Sequence, residues 1–228
     1  MSDHPQIFFP SKLETNFFNG SGDRSLDDLI EQHYADADPS VAFWGEGSTP
    51  VFQAKFALDN ILEHCGENIH AFFALRHPID RIVSHFYHDV KRNSRRNVQT
   101  LSDGRYVERS TYSAHAKRWI NRLGERVHPL KFEHLVQDAD MYLAKVTDAL
   151  GLERLEMVPN ERANTGFSIV RDGDLLRKTK GSAPTLPISE LVEIHNSLKS
   201  DIEETQKITG LDLADWFEMP DWPMIDQA

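Results

Sequence analysis

The chain has 228 residues, 39% of them hydrophobic, so it can bury one sizeable core and needs only one domain. Its net charge of −11 argues against general binding to nucleic acid or to polyanionic chains, because such binding needs a surface rich in lysine and arginine. A single cysteine, Cys65, excludes an internal disulfide framework and a cysteine-based zinc cluster.

Helical and strand patterns alternate along the chain, without repeats or a linker. Strands are predicted over residues 41–44, 68–75 and 129–132, and helices over 27–34, 55–65, from Ile79 onward, up to Leu123, 140–150 and 188–209. Strands joined by crossover helices imply an α/β fold with a mostly parallel sheet flanked by helices. Residues 93–109 and 160–180 are predicted to be polar, variable loops, where acceptor choice would lie.

The segment 72–86 carries the clearest sign of function. Its apolar first half predicts a strand that ends at Arg76, and Pro78 suits the first turn of a helix because proline lacks an N–H and has a fixed φ. Arg81 and Ser84 fall on the polar face of that helix. Because ligands of such sheets bind at the carboxyl ends of the strands, Arg76 and Ser84 could hold one phosphate between them.

The pattern Arg-x-Pro-x-x-Arg-x-x-Ser-His-Phe, which begins at Arg76, resembles the 3′-phosphate-binding motif of sulfotransferases that use 3′-phosphoadenosine 5′-phosphosulfate (PAPS). The resemblance implies that Arg76 and Ser84, with Arg81 beside them, bind the 3′-phosphate of the nucleotide. The family usually has an acidic residue where this chain has His77. The alternative is an ordinary strand-to-helix turn in which Arg76 pairs with a carboxylate.

Other segments follow the order of the same family, over most of the chain. In residues 12–18 a Lys-x-Glu sequence precedes two phenylalanines, so that Glu14 falls on the family's glutamate and Leu13 replaces a lysine. The resemblance implies that Glu14 is the catalytic base, and Lys12 could reach the sulfonate in place of the missing lysine. The alternative for Glu14 is a surface glutamate. We interpret Glu46 as a structural carboxylate that accepts backbone N–H bonds in its turn.

Two basic segments could contribute to a binding surface. Lys180 and Gly181 resemble a family loop that closes over the 3′ side of the nucleotide, where glycine lets the backbone approach the phosphate. The alternative is a polar loop without a ligand. The basic residues of 91–96, together with Arg105 and Arg109, are interpreted as a solvated helix end rather than a substrate surface.

One departure from the family concerns the start of the chain. The family begins with a strand, a Lys-x-Gly-Thr-Thr phosphosulfate-binding loop and a helix, whereas here the segment that should follow them begins at His4. The glycine-rich residues 19–25 are predicted to form only a surface turn. We therefore expect one sulfotransferase-like domain over 1–228, of P-loop NTPase-like architecture without its first strand, loop and helix. The exposed edge would make the chain aggregate, form a homodimer or cover the gap with its own N-terminal segment.

The resemblance implies a sulfotransferase that moves a sulfuryl group from PAPS to a hydroxyl or amine, leaving 3′-phosphoadenosine 5′-phosphate (PAP). Its partner would be a small-molecule or carbohydrate acceptor, with no role for nucleic acid or a membrane. The alternatives are a non-catalytic nucleotide- or partner-binding relative and an α/β domain whose motifs serve packing alone. No metal is predicted, because the eleven histidines form no His-Glu-x-x-His pattern. Without a secretory signal or an apolar span, we expect a cytoplasmic protein.

Overall fold

A computed structural model describes residues 4–20, 24–92, 101, 104–154, 169–179 and 183–225. The strands are β1 (Ile7–Phe8), β2 (Phe43–Trp44), β3 (Ala71–Leu75), β4 (Val127–Lys131), β5 (Ile169–Asp172), β6 (Leu175–Lys178) and β7 (Leu186–Pro187). The helices are α1 (Leu26–His33), α2 (Ala57–Cys65), α3 (Pro78–Arg92), α4 (Arg105–Glu108), α5 (Ser113–Leu123), α6 (Phe132–Gln137), α7 (Ala139–Leu150) and α8 (Ile188–Thr209). The fold is thus mixed α/β, as the sequence predicts.

Local capping residues account for the helix boundaries. The Ser25 hydroxyl accepts a hydrogen bond from the backbone N–H of Asp27 at the start of α1, and the Asp138 carboxylate accepts one from the N–H of Met141 at the start of α7. Each bond satisfies an amide that has no partner inside its helix. Helix α7 ends at Gly151, whose φ of 65° lies in the left-handed region that glycine adopts without steric cost.

The strands form three small sheets. β1 and β2 pair in parallel, with Ile7 opposite Phe43, and β3 pairs with β4. β5, β6 and β7 form an antiparallel sheet in that order. Within 169–178 this third sheet corrects the prediction of a loop over 160–180, whose residues 160–168 and 180 lie outside the described residues. β5 and β6 are joined by a two-residue turn at Gly173, with φ of 61°. A glycine in a two-residue turn is a recognised hairpin signal.

One further prediction is corrected between residues 93 and 109. The sequence predicts a polar loop there, but Arg105–Glu108 form the short helix α4 and the Tyr106 side chain is fully buried. Its ring packs against Phe86 of α3. Within the described residues, no helix is both long and apolar enough to cross a membrane.

The described residues fall into two compact units. The first contains residues 4–73, 117–130 and 134–154, with one core around Phe17, Phe18, Leu29 and Tyr34 and another around Leu130, Tyr142 and Val146. The second contains 74–116, 131–133 and 169–225, and its core packs the apolar face of α3 against residues of α8 and β6. That a single domain spans residues 1–228 stays a prediction.

Candidate anion-binding site

The turn between β3 and α3 lies in the second unit, and its backbone is held by side chains from other elements. The Tyr112 hydroxyl donates to the carbonyl oxygen of Arg76 at 2.8 Å, and the Glu133 carboxylate accepts the backbone N–H of His77 at 2.7 Å. Burial raises the pKa of Tyr112, so its hydroxyl keeps the proton that it donates. The backbone of Arg76 is therefore fixed before any ligand arrives.

His77, which stands where the family has an acidic residue, is part of this turn. Its ring is buried, and its Nδ1 accepts the backbone N–H of Ile79 at 3.2 Å. Nε2 must therefore carry the proton, which it donates to the carbonyl oxygen of Glu218 at 3.0 Å. Burial lowers the pKa of His77, which favours this neutral form. His77 thus positions the turn and does not offer a charge to a ligand.

Three arginines gather next to the turn, and we call Arg76, Arg81 and Arg109 the arginine cluster. The guanidinium carbon of Arg76 lies 5.4 Å from the centre of the Phe132 ring. Arg81, on α3, donates from Nη1 to the Ser110 hydroxyl at 3.3 Å. Arg109, just after α4, donates from Nη1 to Nε2 of His85 at 3.3 Å. Ser84 lies one helical turn after Arg81, half-buried like both Arg76 and Arg81.

The electrostatics of the cluster favour an anion. Burial lowers the pKa of Arg81, and the positive charges of Arg109 and Arg76 lower it further. In the described part of the chain, no carboxylate lies within 4 Å of the guanidinium groups of Arg76 or Arg81. The alternative interpretation required Arg76 to pair with a carboxylate, and the described residues contain no such pair. The positive charges of neighbouring arginines repel each other, and a bound anion would reduce that repulsion.

His85 is a neutral acceptor beside the cluster. Burial lowers its pKa to about 4, and although Asp89 acts in the opposite sense, Arg109, Arg81 and Arg105 act in the same sense as burial. The imidazole is therefore uncharged at pH 7. An arginine can only donate, so Nε2 accepts from Arg109 and the ring proton is on Nδ1.

The two residues predicted to act in catalysis, Lys12 and Glu14, lie in the first unit and are exposed. Oε1 of Glu14 accepts the Thr49 hydroxyl at 2.6 Å. Lys180 and Gly181, predicted to cover the nucleotide, lie outside the described residues. Of the predicted nucleotide-binding residues, Arg76 and Arg81 are close enough to interact electrostatically, and Ser84 lies one helical turn after Arg81.

The interpretation of Glu46 as a structural carboxylate is confirmed. It accepts the backbone N–H groups of Thr15 at 3.2 Å and of Ser48 at 3.0 Å, and it also accepts both of their hydroxyl groups. The two bonds from Thr15 connect the Gly45-Glu46 turn to the segment that carries Glu14. In the described part of the chain, no group of three or more His, Cys, Asp or Glu side chains could hold a metal ion.

The sequence analysis missed Arg109, which it assigned to a solvated helix end and a polar loop, and Ser110, to which it gave no role. Their position depends on the packing of α4 against α3, where Tyr106 contacts both Phe86 and His85. No periodicity or motif in the sequence connects Arg109 to Arg81. The only available signal was that basic residues are frequent in 91–109.

No family model matches the sequence, and no curated protein matches it. The crystal structure of a sulfotransferase from Alicyclobacillus acidocaldarius is similar to this structure, with a TM-score of 0.70. The match covers 95% of this chain and 91% of that chain, at 18% sequence identity. This chain has a sulfotransferase-like fold. In this sulfotransferase-like fold, the arginine cluster lies at the carboxyl end of β3, where ligands of α/β proteins usually bind.

Proposed function

We propose that this chain is a sulfotransferase that transfers a sulfuryl group from PAPS to a hydroxyl or amine of a small-molecule or carbohydrate acceptor, with PAP as the product. The observation that carries the proposal is the arginine cluster, which lies beside the turn after β3 and has the positive charge that a phosphate requires. The likeness of the fold to a sulfotransferase supports it. The proposal includes the P-loop NTPase-like architecture with a mostly parallel sheet, and a cytoplasmic location.

In this proposal, Arg76 and Ser84 bind the 3′-phosphate. A guanidinium group can donate two parallel hydrogen bonds to phosphate oxygens, and the Ser84 hydroxyl can donate a third. Arg81 adds charge from the next turn of α3, and Lys180 and Gly181 would cover the same phosphate. PAPS itself supplies the activated sulfuryl group, so the protein contributes alignment and charge stabilisation.

Glu14 would accept the proton that the acceptor group loses. Thr49 donates to one of its carboxylate oxygens, and the other has no hydrogen-bond partner among the described residues. A carboxylate fixed through one oxygen can receive a proton on the other. Lys12, two residues earlier and exposed, would approach the sulfonate.

The first test is calorimetric titration of the protein with PAP, with adenosine 5′-phosphate as the control ligand. We expect PAP to bind and the ligand without a 3′-phosphate to bind far more weakly. Removing a charged group that pairs with a buried partner typically costs about 2–5 kcal/mol, so Arg76→Ala should weaken PAP binding by about 30-fold or more. Ser84→Ala should weaken it less, since it removes one neutral donor.

A matched control is Arg122→Ala, which removes the same charge from an exposed arginine of the first unit. It should leave PAP affinity unchanged. Equal affinities for the two nucleotides, or unaltered affinity in Arg76→Ala, would contradict the proposed site. If PAP binds at this site but no hydroxyl or amine acceptor receives sulfate from PAPS, the result supports the non-catalytic nucleotide-binding alternative instead.

A further inference from the structure

Arg109 belongs to the arginine cluster but lies outside the motif that begins at Arg76. It follows α4, and its guanidinium reaches the polar face of α3 at His85. Its charge is close enough to contribute to the lowered pKa of Arg81. A different segment of the chain therefore adds a third cation to the two that the motif supplies.

His85 is well suited to hold this third cation. Its side chain is only 16% exposed, and the Tyr106 ring packs against it edge-on at a centroid distance of 4.8 Å. The Asp89 carboxylate lies 3.7 Å from its Nε2, one helical turn away. A ring confined in this way presents Nε2 to Arg109 in one direction, so the guanidinium is oriented and not only nearby.

The neighbouring residue strengthens this arrangement. The Ser110 hydroxyl is fully buried and accepts from Arg81, so two consecutive residues contact α3 at two points. The Ser110 contact holds the backbone next to Arg109 close to α3.

We propose that Arg109, oriented by His85, is a third anion ligand of this site, and that the three guanidinium groups select a terminal phosphate over a phosphodiester. The proposal rests on the proposed function, because it concerns the phosphate that Arg76 and Ser84 would hold. A terminal phosphate carries up to two negative charges and three free oxygens near neutral pH, which suits three cationic forks. A diester offers one charge and two free oxygens, and so gives three guanidinium groups less charge and fewer acceptors.

The test measures competition with PAP by two probes, adenosine 3′-monophosphate and adenosine 2′,3′-cyclic monophosphate, whose phosphate is a diester. We expect the wild-type protein to prefer the 3′-monophosphate. A hydrogen-bonded charge is worth a factor of about 10–100, so Arg109→Ala should lower PAP affinity by that factor and reduce the preference between the probes. Arg109→Lys should keep part of the affinity, since it retains the charge without the fork. Arg122→Ala again serves as the matched charge control.

A double-mutant cycle distinguishes between two roles of His85, the orientation of Arg109 and a purely structural contribution to the fold. His85→Leu should weaken PAP binding in the wild-type background and cause no further loss in Arg109→Ala. His85→Gln, whose amide oxygen can accept from Arg109, should restore most of the affinity. Thermal unfolding of each variant reports on the fold. Additive losses in the double variant, at unchanged melting temperature, would overturn the positioning role.

The outcomes separate the two proposals. If wild-type protein binds PAP and Arg76→Ala does not, but Arg109→Ala binds PAP and both probes as wild type does, Arg109 is not an anion ligand and only this inference fails. If folded wild-type protein does not bind PAP, the proposed function fails and this inference fails with it.

Discussion

Glu14 and Glu46 are carboxylates of the same unit with opposite surroundings. Glu46 is half-buried and accepts four hydrogen bonds, two from backbone N–H groups and two from hydroxyl groups. Glu14 is exposed and accepts one, from Thr49. The oxygens of Glu46 already accept hydrogen bonds from the protein, whereas the exposed carboxylate of Glu14 remains accessible to a substrate.

The two residues should therefore respond differently to substitution. Glu46→Ala leaves several donors without an acceptor, so the free energy of unfolding should fall by about 2–4 kcal/mol in urea denaturation. Glu14→Ala, at an exposed position, should change it by less than about 0.5 kcal/mol. In a transfer assay with PAPS, Glu14→Ala should lower the rate by about 10²–10⁴-fold, as expected for loss of a general base.

Glu14→Gln is the matched variant for the transfer assay, because it keeps the size of the side chain and an oxygen for Thr49. It should be as inactive as Glu14→Ala and as stable as wild type. Wild-type transfer by Glu14→Gln would show that this carboxylate is not the base.

At the scale of the elements, helix α8 provides the N-terminal cap of helix α5. The Asp201 carboxylate of α8 accepts the backbone N–H groups of Tyr112 at 2.8 Å and Ser113 at 3.1 Å, as well as the Ser113 hydroxyl. These amides have no partner inside α5. Because Tyr112 also donates to the carbonyl of Arg76, the cap is one bond removed from the anion site.

Asp201→Ala should therefore destabilise the protein by about 2 kcal/mol, since it removes both a cap and the partner of buried donors. We also expect weaker PAP binding than in wild type, although not the loss expected for Arg76→Ala, because the turn keeps its bonds from Glu133 and His77. Urea denaturation and calorimetry measure the two effects. Glu203→Ala, exposed on the same helix, is the control and should alter neither quantity.

The sequence predicts elements well where their signals are local. Ser25 and Gly151 mark helix ends because capping depends on adjacent backbone groups, and both helices form as predicted. The β5–β6 hairpin also has a local signal, Gly173 between apolar segments, but the basic residues around it favoured a loop interpretation. The pairing of β7 with β6 depends on a contact that periodicity does not specify.

The residues of the candidate site also differ in how far the sequence predicts them. Arg76, Arg81 and Ser84 are close in sequence, so one strand and one helix suffice to predict that they lie together. Arg109 and Ser110 reach α3 only because Tyr106 is buried against it, which is a tertiary contact. A motif can thus identify three of these five residues, and the packing of α4 supplies the other two.

For the whole molecule, the net charge of −11 contrasts with the local positive charge of the arginine cluster. A mostly negative surface repels polyanions at long range, while a group of arginines acts on a small anion at short range. The charge distribution of the whole molecule therefore disfavours charged polymers, while the site itself attracts a single phosphate.

We expect the protein to pass through a heparin column at about 0.1 M salt without retention, although it binds PAP under the same conditions. PAP affinity should decrease as salt is raised to about 1 M, where the Debye length is about 3 Å, and the decrease should be smaller in Arg109→Ala. Retention of the wild-type protein on heparin above about 0.3 M salt would contradict this prediction, since only an extended cationic surface resists that concentration.

The bonds that hold the turn after β3 also bear on the kinetics of nucleotide binding. Tyr112 and Glu133 hold the backbone at Arg76 and His77, and Ile79 holds the His77 ring, so the strand end needs no rearrangement when a ligand arrives. Association would then proceed in one step, at a rate set by encounter and not by a conformational transition. Differences in affinity between nucleotides would consequently arise from differences in their dissociation rates.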